Sequence, residues 1–452
     1  AEGIGPFKSV HLDLRGADGK ASNGPHILAG VNGSGKSTLL KAIAWNHADD
    51  KDGFPLEEWQ SYFAADWSSR VLSVFERDGE TWARETKRDW DSDDSWATEK
   101  LASVGLSGLC SLVDTQTSSW GVRTVWTERW GRGLALIGSL ATGGNMAAYS
   151  PARALHHLAP LNLASGPSFH KNSLSFDSTI DNEAVQAWLV TLYSRRAIAK
   201  ERHQETEKYT ATFRALEEGL RRVCGDHVSI VVDIEPRLQP RLKIGDQVLT
   251  FSQIPDGVKS TLGWLADFMM RADTLIAGDR DDGIMLFDEI ETFLHPLWQR
   301  RILPAMTAAL PETQFIVSSH SPFVISSHRD AMIHVLKIGK DGHAYAEPPV
   351  KAPIGESITS TLKEIFGVDS RFDVETEQEL AEWNDLQKAK TSGKLSHKEQ
   401  TRLKVLSETL ASRSEELRSL VNPISKLSKD TVDQLTSSPA GRSNRPKRVA
   451  SR

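Results

Sequence analysis

The chain is 452 residues long, 39% apolar and 25% charged, with a formal net charge of -6. This is the balance of a globular protein with a large buried core; it excludes a chain that is basic throughout, so a nucleic-acid contact would need a local or subunit-assembled positive surface. Two cysteines, Cys110 and Cys224, supply neither a disulfide framework nor a metal set.

No apolar run reaches the roughly 18 residues of a membrane helix. With no basic-then-apolar leader either, a cytoplasmic location without a membrane partner is the expectation. In chain order, "FKSVHLDL" alternates as a strand, and after a turn-rich stretch "HILAG" reads as a second one. "KSTLLKAIAWNHA" is a helix. Residues 51–130 are acidic and turn-rich, and hold eight of the thirteen tryptophans. They suit an aromatic sub-core, with a partner-binding surface as the alternative. Within them "RVLSVFERDGETWARET" predicts a hairpin turning at Asp78–Gly79. Residues 182–223, almost free of glycine and proline, predict one or two long helices forming a short projecting arm.

Strand-like "HVSIVVDIE" follows, then the pair "RLKIGDQVLTF" turning at Gly245–Asp246, then the helix "GVKSTLGWLADFMM". "GIMLFDE" and "QFIVSSH" are short apolar runs of the kind buried in a mostly parallel sheet, with a helix "HPLWQRRILPAMTAAL" between them. "MIHVLKIGKDGHAYAEP" closes the core as a hairpin. The expected layout is a core over residues 1–345, with the 51–130 subdomain and the 182–223 arm inserted. A helical appendix over 346–424 and a disordered basic tail over 425–452 complete it. In the appendix, "SHKE" from Ser396 to Glu399 is a capping box. Leu403, Leu406, Leu410, Leu417 and Leu420 mark one apolar face, suited to packing on the same chain or on a second subunit. The tail suits a solvated end or a contact with nucleic acid or a partner.

Gly30, Gly35, Lys36 and Ser37 satisfy G-x-x-x-x-G-K-[ST], with the strand before and helix after that this phosphate-binding loop requires. Glycines at Gly33 and Gly35 let successive backbone N–H groups of Asn32, Gly33, Ser34, Gly35, Lys36, Ser37 and Thr38 turn toward phosphate oxygens, beside the positive end of a helix dipole. Lys36 is expected to reach the outer phosphates of ATP, and Ser37 to ligate Mg²⁺. In "GIMLFDEIETFLHP" a buried strand delivers Asp288 as second Mg²⁺ ligand and Glu289 as general base. In "QFIVSSHSPFVI", His320 at a strand end is placed to hydrogen-bond the γ-phosphate. His295 is better read as a cap or a packed residue.

The order of phosphate loop, long insertion, "DGVKS" helix, "LFDEIETFLHP" and "SSHSPF" resembles the ATP-binding-cassette (ABC) ATPases of the RecF/SMC-like branch, and within it the ATPase subunits of Septu-type anti-phage systems. The resemblance implies an α/β fold with a mixed P-loop sheet, an antiparallel N-terminal subdomain, a helical arm and a helical C-terminal appendix. It implies an ATP hydrolase acting as a homodimer or higher homo-oligomer, in which "FSQIPDGVKSTL" of one subunit covers the nucleotide of the other through Asp256, Gly257, Lys259 and Ser260. Pro255 stands where the family has a serine, so a hydroxyl contact to phosphate is missing unless Ser252 or Ser260 substitutes or Lys259 provides charge, and the hydrolysis rate and the strength of dimer closure turn on that. The "IGESITSTLKEIFGVDSRFDVETEQELAEWNDLQ" stretch resembles the tail of the Septu ATPase, which implies a separate HNH-type nuclease partner. No acidic cluster is recognised for a nuclease centre in this chain, and direct DNA contact stays open. "AAYSPARAL", with Arg153, is the candidate for the glutamine-loop region. A RecF-like DNA-repair clamp is the alternative function, and a membrane transporter cassette is disfavoured by the "LHP" and "SHSPF" forms.

Overall fold

A computed structural model of the chain describes residues 1–19, 24–47, 69–77, 80–87, 95–106, 110–117, 121–127, 146–150, 180–225, 228–235, 238–273, 283–368 and 372–422. Five of the eight tryptophans of 51–130, the Asp78–Gly79 turn, Arg153 and the basic tail lie outside these residues. The chain divides into two compact units, Ala1–Gly367 and Val368–Arg452.

The first unit opens with β1 (Glu2–Ile4), β2 (Phe7–Ser9), β3 (His26–Gly30) and α1 (Lys36–His47). It continues through β4 (Arg70–Arg77), β5 (Glu80–Lys87), α2 (Ser95–Ser103), β6 (Cys110–Thr117), β7 (Gly121–Thr127) and β8 (Met146–Tyr149). Next come α3 (Asn182–Glu201), α4 (Glu207–Cys224), β9 (Val228–Asp233), β10 (Gln239–Ile244), β11 (Gln247–Leu249) and α5 (Asp256–Asp273). It ends with β12 (Gly283–Phe287), α6 (Pro296–Gln299), α7 (Ile302–Ala309), β13 (Thr313–Ser319), α8 (Pro322–Ile325), β14 (Met332–Ile338), β15 (Ala344–Ala346), β16 (Val350–Lys351) and α9 (Ile358–Phe366).

Side chains alternate across the central sheet, and that alternation builds the layers. The sheet runs β15-β14-β3-β13-β12-β8, with β16 also on β14. From β14 to β8 all pairings are parallel; β15 and β16 are antiparallel. Ile27, Ala29, Met285, Phe287, Phe315 and Val317 face a core completed by α3, α4, α5 and α7. Leu28, Leu286 and Ile316 face the other way, onto Leu39, Leu40, Ala44 and Trp45 of α1, with Ile4, Phe7 and Val71 of the antiparallel sheet beyond them. That second sheet, β2-β1-β4-β5-β7-β6, is the expected N-terminal subdomain, and β4 pairs with β5 from Arg70↔Lys87 to Arg77↔Glu80 as the hairpin reading requires. Among its tryptophans, Trp96 is partly buried against Ala83, Ala97 and Leu101.

Four sequence expectations are corrected. The first strand stops at Ser9, because β1 offers only three residues to pair with. The arm does not project along its length. Val185, Leu189 and Leu192 of α3, with Phe213, Leu216 and Leu220 of α4, are too apolar to stay solvated and lie in the main core, and only a tip around Glu201–Glu205 is fully exposed. The helix between β12 and β13 is split into α6 and α7; Pro304 has no N–H to donate back, so it sits in the first turn of a new helix, where none is needed. Residues 346–367 belong with the first unit: β16 pairs with β14, and Ile365 of α9 is buried in the main core.

The second unit holds α10 (Val374–Thr391), α11 (His397–Arg413) and α12 (Glu415–Val421). The Ser396–Glu399 capping box is present. Leu410, Leu417 and Val421 pack on Phe372, Leu380 and Trp383 of the same unit, and the Trp383 indole donates to Ser407 at 2.8 Å. Leu403 and Leu406 are buried as well, but Leu420 is 42% exposed. Ser414 is extended (φ -157, ψ 160) and caps a new helix, so the helical phase restarts and Val421 takes the inward position.

Candidate functional site

The parallel strands β3, β13 and β12 bring their carboxyl ends to one edge of the sheet, where open α/β sheets bind ligands. Asp288 follows β12 directly, while β13 lies between it and the strand carrying the glycine loop. The sequence predicts that strand but not its place between the other two.

The loop from Gly30 to Lys36 is closed by Ser34 N–H donating to Val31 C=O at 3.2 Å, with Asn32 and Gly33 exposed. Gly35 has φ +91, and a Cβ there would stand 2.3 Å from the Phe7 ring, so the position needs glycine on two counts. Lys36, 6% exposed, folds back over the loop and donates to Gly30 C=O at 3.0 Å and Val31 C=O at 3.1 Å. Burial lowers its pKa, against the opposing pull of Asp288, Glu289 and Glu291. Ser34 is fully buried, and Thr38 packs against Gly5, so neither hydroxyl is presented to the loop's open side; any part they play is through the backbone.

Ser37 Oγ donates to Asp288 Oδ1 at 2.9 Å across 251 residues of sequence. Ser318 Oγ donates to the same oxygen at 2.6 Å and accepts the Glu289 N–H at 2.8 Å. A hydroxyl and a carboxylate converging in this way form a hard-oxygen set of the type that Mg²⁺ takes beside phosphates. Glu289 is held at φ 46, a left-handed conformation uncommon for a side-chain-bearing residue, and Thr292 Oγ1 donates to its Oε2 at 3.3 Å. His320 is half-buried, and its pKa is lowered first by burial and then by Lys36, with Glu291, Glu289 and Asp288 pulling the other way. The structure thus brings Lys36, Ser37, Asp288, Glu289 and His320 to one edge, and adds Ser318 and Glu291, which sequence reasoning left out. They stand in "SSH" and as the second acid of "DEIE", but no motif spacing singles them out.

The "DGVKS" segment is organised differently from expectation. Asp256 and Gly257 open α5, where backbone N–H groups and a positive dipole end are available. Lys259 is engaged by Asp256 at 3.0 Å. Ser260 is 1% exposed and cannot supply the hydroxyl missing at Pro255; it faces the core because the helix turns it inward. Ser252 is exposed and shares a 2.8 Å hydrogen bond with Thr250. A Cβ on Gly257 would stand 2.7 Å from Phe293 C=O and 3.0 Å from the Trp298 ring, so the start of α5 packs on the segment that follows Glu289. His295 caps α6 by accepting the Leu297 N–H.

Among the described residues no helix is long and apolar enough to cross a membrane. Residues 241–326, from "RLKIG" to the end of α8, match the family profile described as "AAA domain, putative AbiEii toxin, Type IV TA system". The chain is 35% identical to the Retron Ec83 probable ATPase of Escherichia coli over 127 residues, 27% of this chain and 22% of that protein. It is 27% identical to Septu protein PtuA of Bacillus mycoides (strain KBAB4) over 113 residues, 25% of this chain and 16% of that protein. The matches therefore span about a quarter or less of these relatives' length. An SMC head bound to the C-winged helix domain of ScpA overlays with a TM-score of 0.45 and 15% identity, covering 77% of this chain and 96% of that one. The glycine loop before α1, the parallel strand order and the acidic end of β12 are those of a P-loop α/β protein, and over these partial lengths the chain is similar to Septu protein PtuA and the retron ATPases.

Proposed function

We propose that the protein binds Mg²⁺–ATP and hydrolyses it, and that two copies close around the nucleotide to regulate a separate nuclease in an anti-phage complex. The observation that carries the reading is the Ser37–Asp288 contact of 2.9 Å, which joins the phosphate-loop helix to the acidic strand end. In this reading Lys36 and the loop N–H groups hold the phosphates, and Ser37 and Asp288 hold Mg²⁺, which neutralises phosphate charge when bound. Glu289 accepts the proton of the attacking water, and His320 donates to the γ-phosphate. Asp256, Gly257 and Lys259 of a second copy cover the phosphate from the opposite side, chiefly through helix N–H groups, since no serine precedes Gly257. The names of the retron and Septu relatives support the ATPase class and the defence setting. An HNH-type nuclease partner rests on the Septu resemblance alone.

Steady-state ATP turnover by the purified protein tests the reading. Lys36→Ala should weaken ATP binding about tenfold or more. Glu289→Gln should keep ATP binding while turnover falls by roughly 10²–10⁴. Full turnover in both variants would overturn it.

A further inference from the structure

We infer that Glu291, which sequence reasoning passed over, is a positioning residue for His320: its carboxylate fixes the backbone of the loop that presents the imidazole to the reacting phosphate. This rests on the function proposed above. The His320 N–H donates to Glu291 Oε1 at 2.5 Å, a close contact between a backbone donor and a carboxylate oxygen. The other oxygen, Oε2, is buried with no hydrogen-bond partner among the described residues. A buried carboxylate oxygen left so is costly, and the fold retains it two residues beyond Glu289.

The contact belongs to a lacing between the turn after β12 and the loop after β13. Ser318 Oγ donates to Asp288, the Glu289 N–H donates to Ser318 Oγ, and the Ile290 N–H donates to Ser318 C=O at 3.1 Å. Farther along, Ser321 Oγ donates to Gln299 Oε1 at 2.6 Å. These bonds grip the loop on either side of His320; the Glu291 bond grips His320 itself. The charged groups acting on the imidazole are Lys36, Glu291, Glu289 and Asp288. Glu291 therefore sets both where the imidazole stands and part of the field around it, without touching the nucleotide.

Four variants test this: Glu291→Ala, Glu291→Gln, His320→Ala and the Glu291→Ala/His320→Ala pair. Turnover and equilibrium ATP binding are measured on each. Glu291→Ala should lower kcat about tenfold or more with ATP affinity kept within about threefold. Glu291→Gln, whose amide oxygen still accepts the His320 N–H, should recover most of that loss, and the double variant should be no slower than His320→Ala alone. Unchanged kcat in Glu291→Ala, an equal defect in Glu291→Gln, an equal loss of ATP binding, or additive losses in the pair would each overturn the assignment. A second readout is independent of turnover. In protein labelled with ¹⁵N-histidine, the His320 amide proton, identified by its loss in His320→Gln, should move upfield in Glu291→Ala. If the wild-type protein proves not to hydrolyse ATP, the proposed function fails; an unmoved amide proton would overturn the Glu291 assignment itself.

Discussion

At the scale of single residues, the site is a small number of oxygens and N–H groups whose partners lie far away in sequence. Ser318 is the clearest case. Its hydroxyl donates to Asp288 and accepts from the Glu289 backbone, so one side chain orients both acidic residues. A hydrogen bond to a charged group contributes about 1.5–3 kcal/mol. Ser318→Ala should therefore weaken Mg²⁺-dependent ATP binding roughly tenfold or more, which isothermal titration with and without Mg²⁺ would read. An equal effect in the absence of Mg²⁺ would place Ser318 elsewhere in the chemistry. That Lys36, Ser37, Asp288 and Glu289 meet at one sheet edge was legible because such residues stand at a fixed loop spacing or a fixed strand end. Glu291 and Ser318 were not, because their partners are decided by the turn that sets Glu289 at φ 46 and not by any periodicity.

At the scale of elements, β3 and β14 carry a buried pair that the mechanism does not use. His26 Nδ1 lies 3.1 Å from His334 Nε2, so one ring donates and the other accepts, and the accepting ring is neutral. Burial pushes His26 from its ordinary 6.5 down to about 4. Burial, reinforced by the neighbouring His26, pushes His334 down to about 3. With folded-state values depressed, the unfolded chain takes up protons first as pH falls, so stability is full above pH 6.5 and is lost toward pH 4 and below. The cost at pH 5 is on the order of 2 kcal/mol per ring. The urea midpoint of the first unit should accordingly fall between pH 7 and pH 5, and His334→Gln should flatten that dependence. A wild-type midpoint that does not move over this range would contradict the burial argument. Most elements themselves were legible, since strand alternation and capping signals such as Ser396–Glu399 act locally. The misread arm and the exposed Leu420 were not, because each depends on which face another element covers and on where Ser414 restarts the helix.

For the whole molecule, the proposal that two copies close on ATP places a second requirement on Glu289. If hydrolysis opens the pair, blocking it should trap the pair. Glu289→Gln with Mg²⁺–ATP should sediment at twice the monomer mass, while the same variant with ADP, and the Lys36→Ala variant with ATP, should not. A single species of unchanged mass in all three conditions would remove closure from the mechanism. A ligand can shift an open–closed balance only through unequal affinity for the two states. In the proposed closure that inequality comes from groups of both copies, with the backbone N–H groups at the start of α5 among the candidates.

By itself the sequence determined the phosphate loop, the acidic strand end and the class of fold, because a glycine at positive φ, a lysine within its own loop and a hydrophobic run ending in Asp288 are short-range physical requirements. Only the tertiary structure decided that β13 separates the two motif-bearing strands, that α3 and α4 are absorbed into the core, and that Ser260 turns into the core while Ser318 and Glu291 hydrogen-bond to Asp288 and His320. Those outcomes depend on which surfaces meet across the sheet, and a local pattern of residues carries no record of its distant partners.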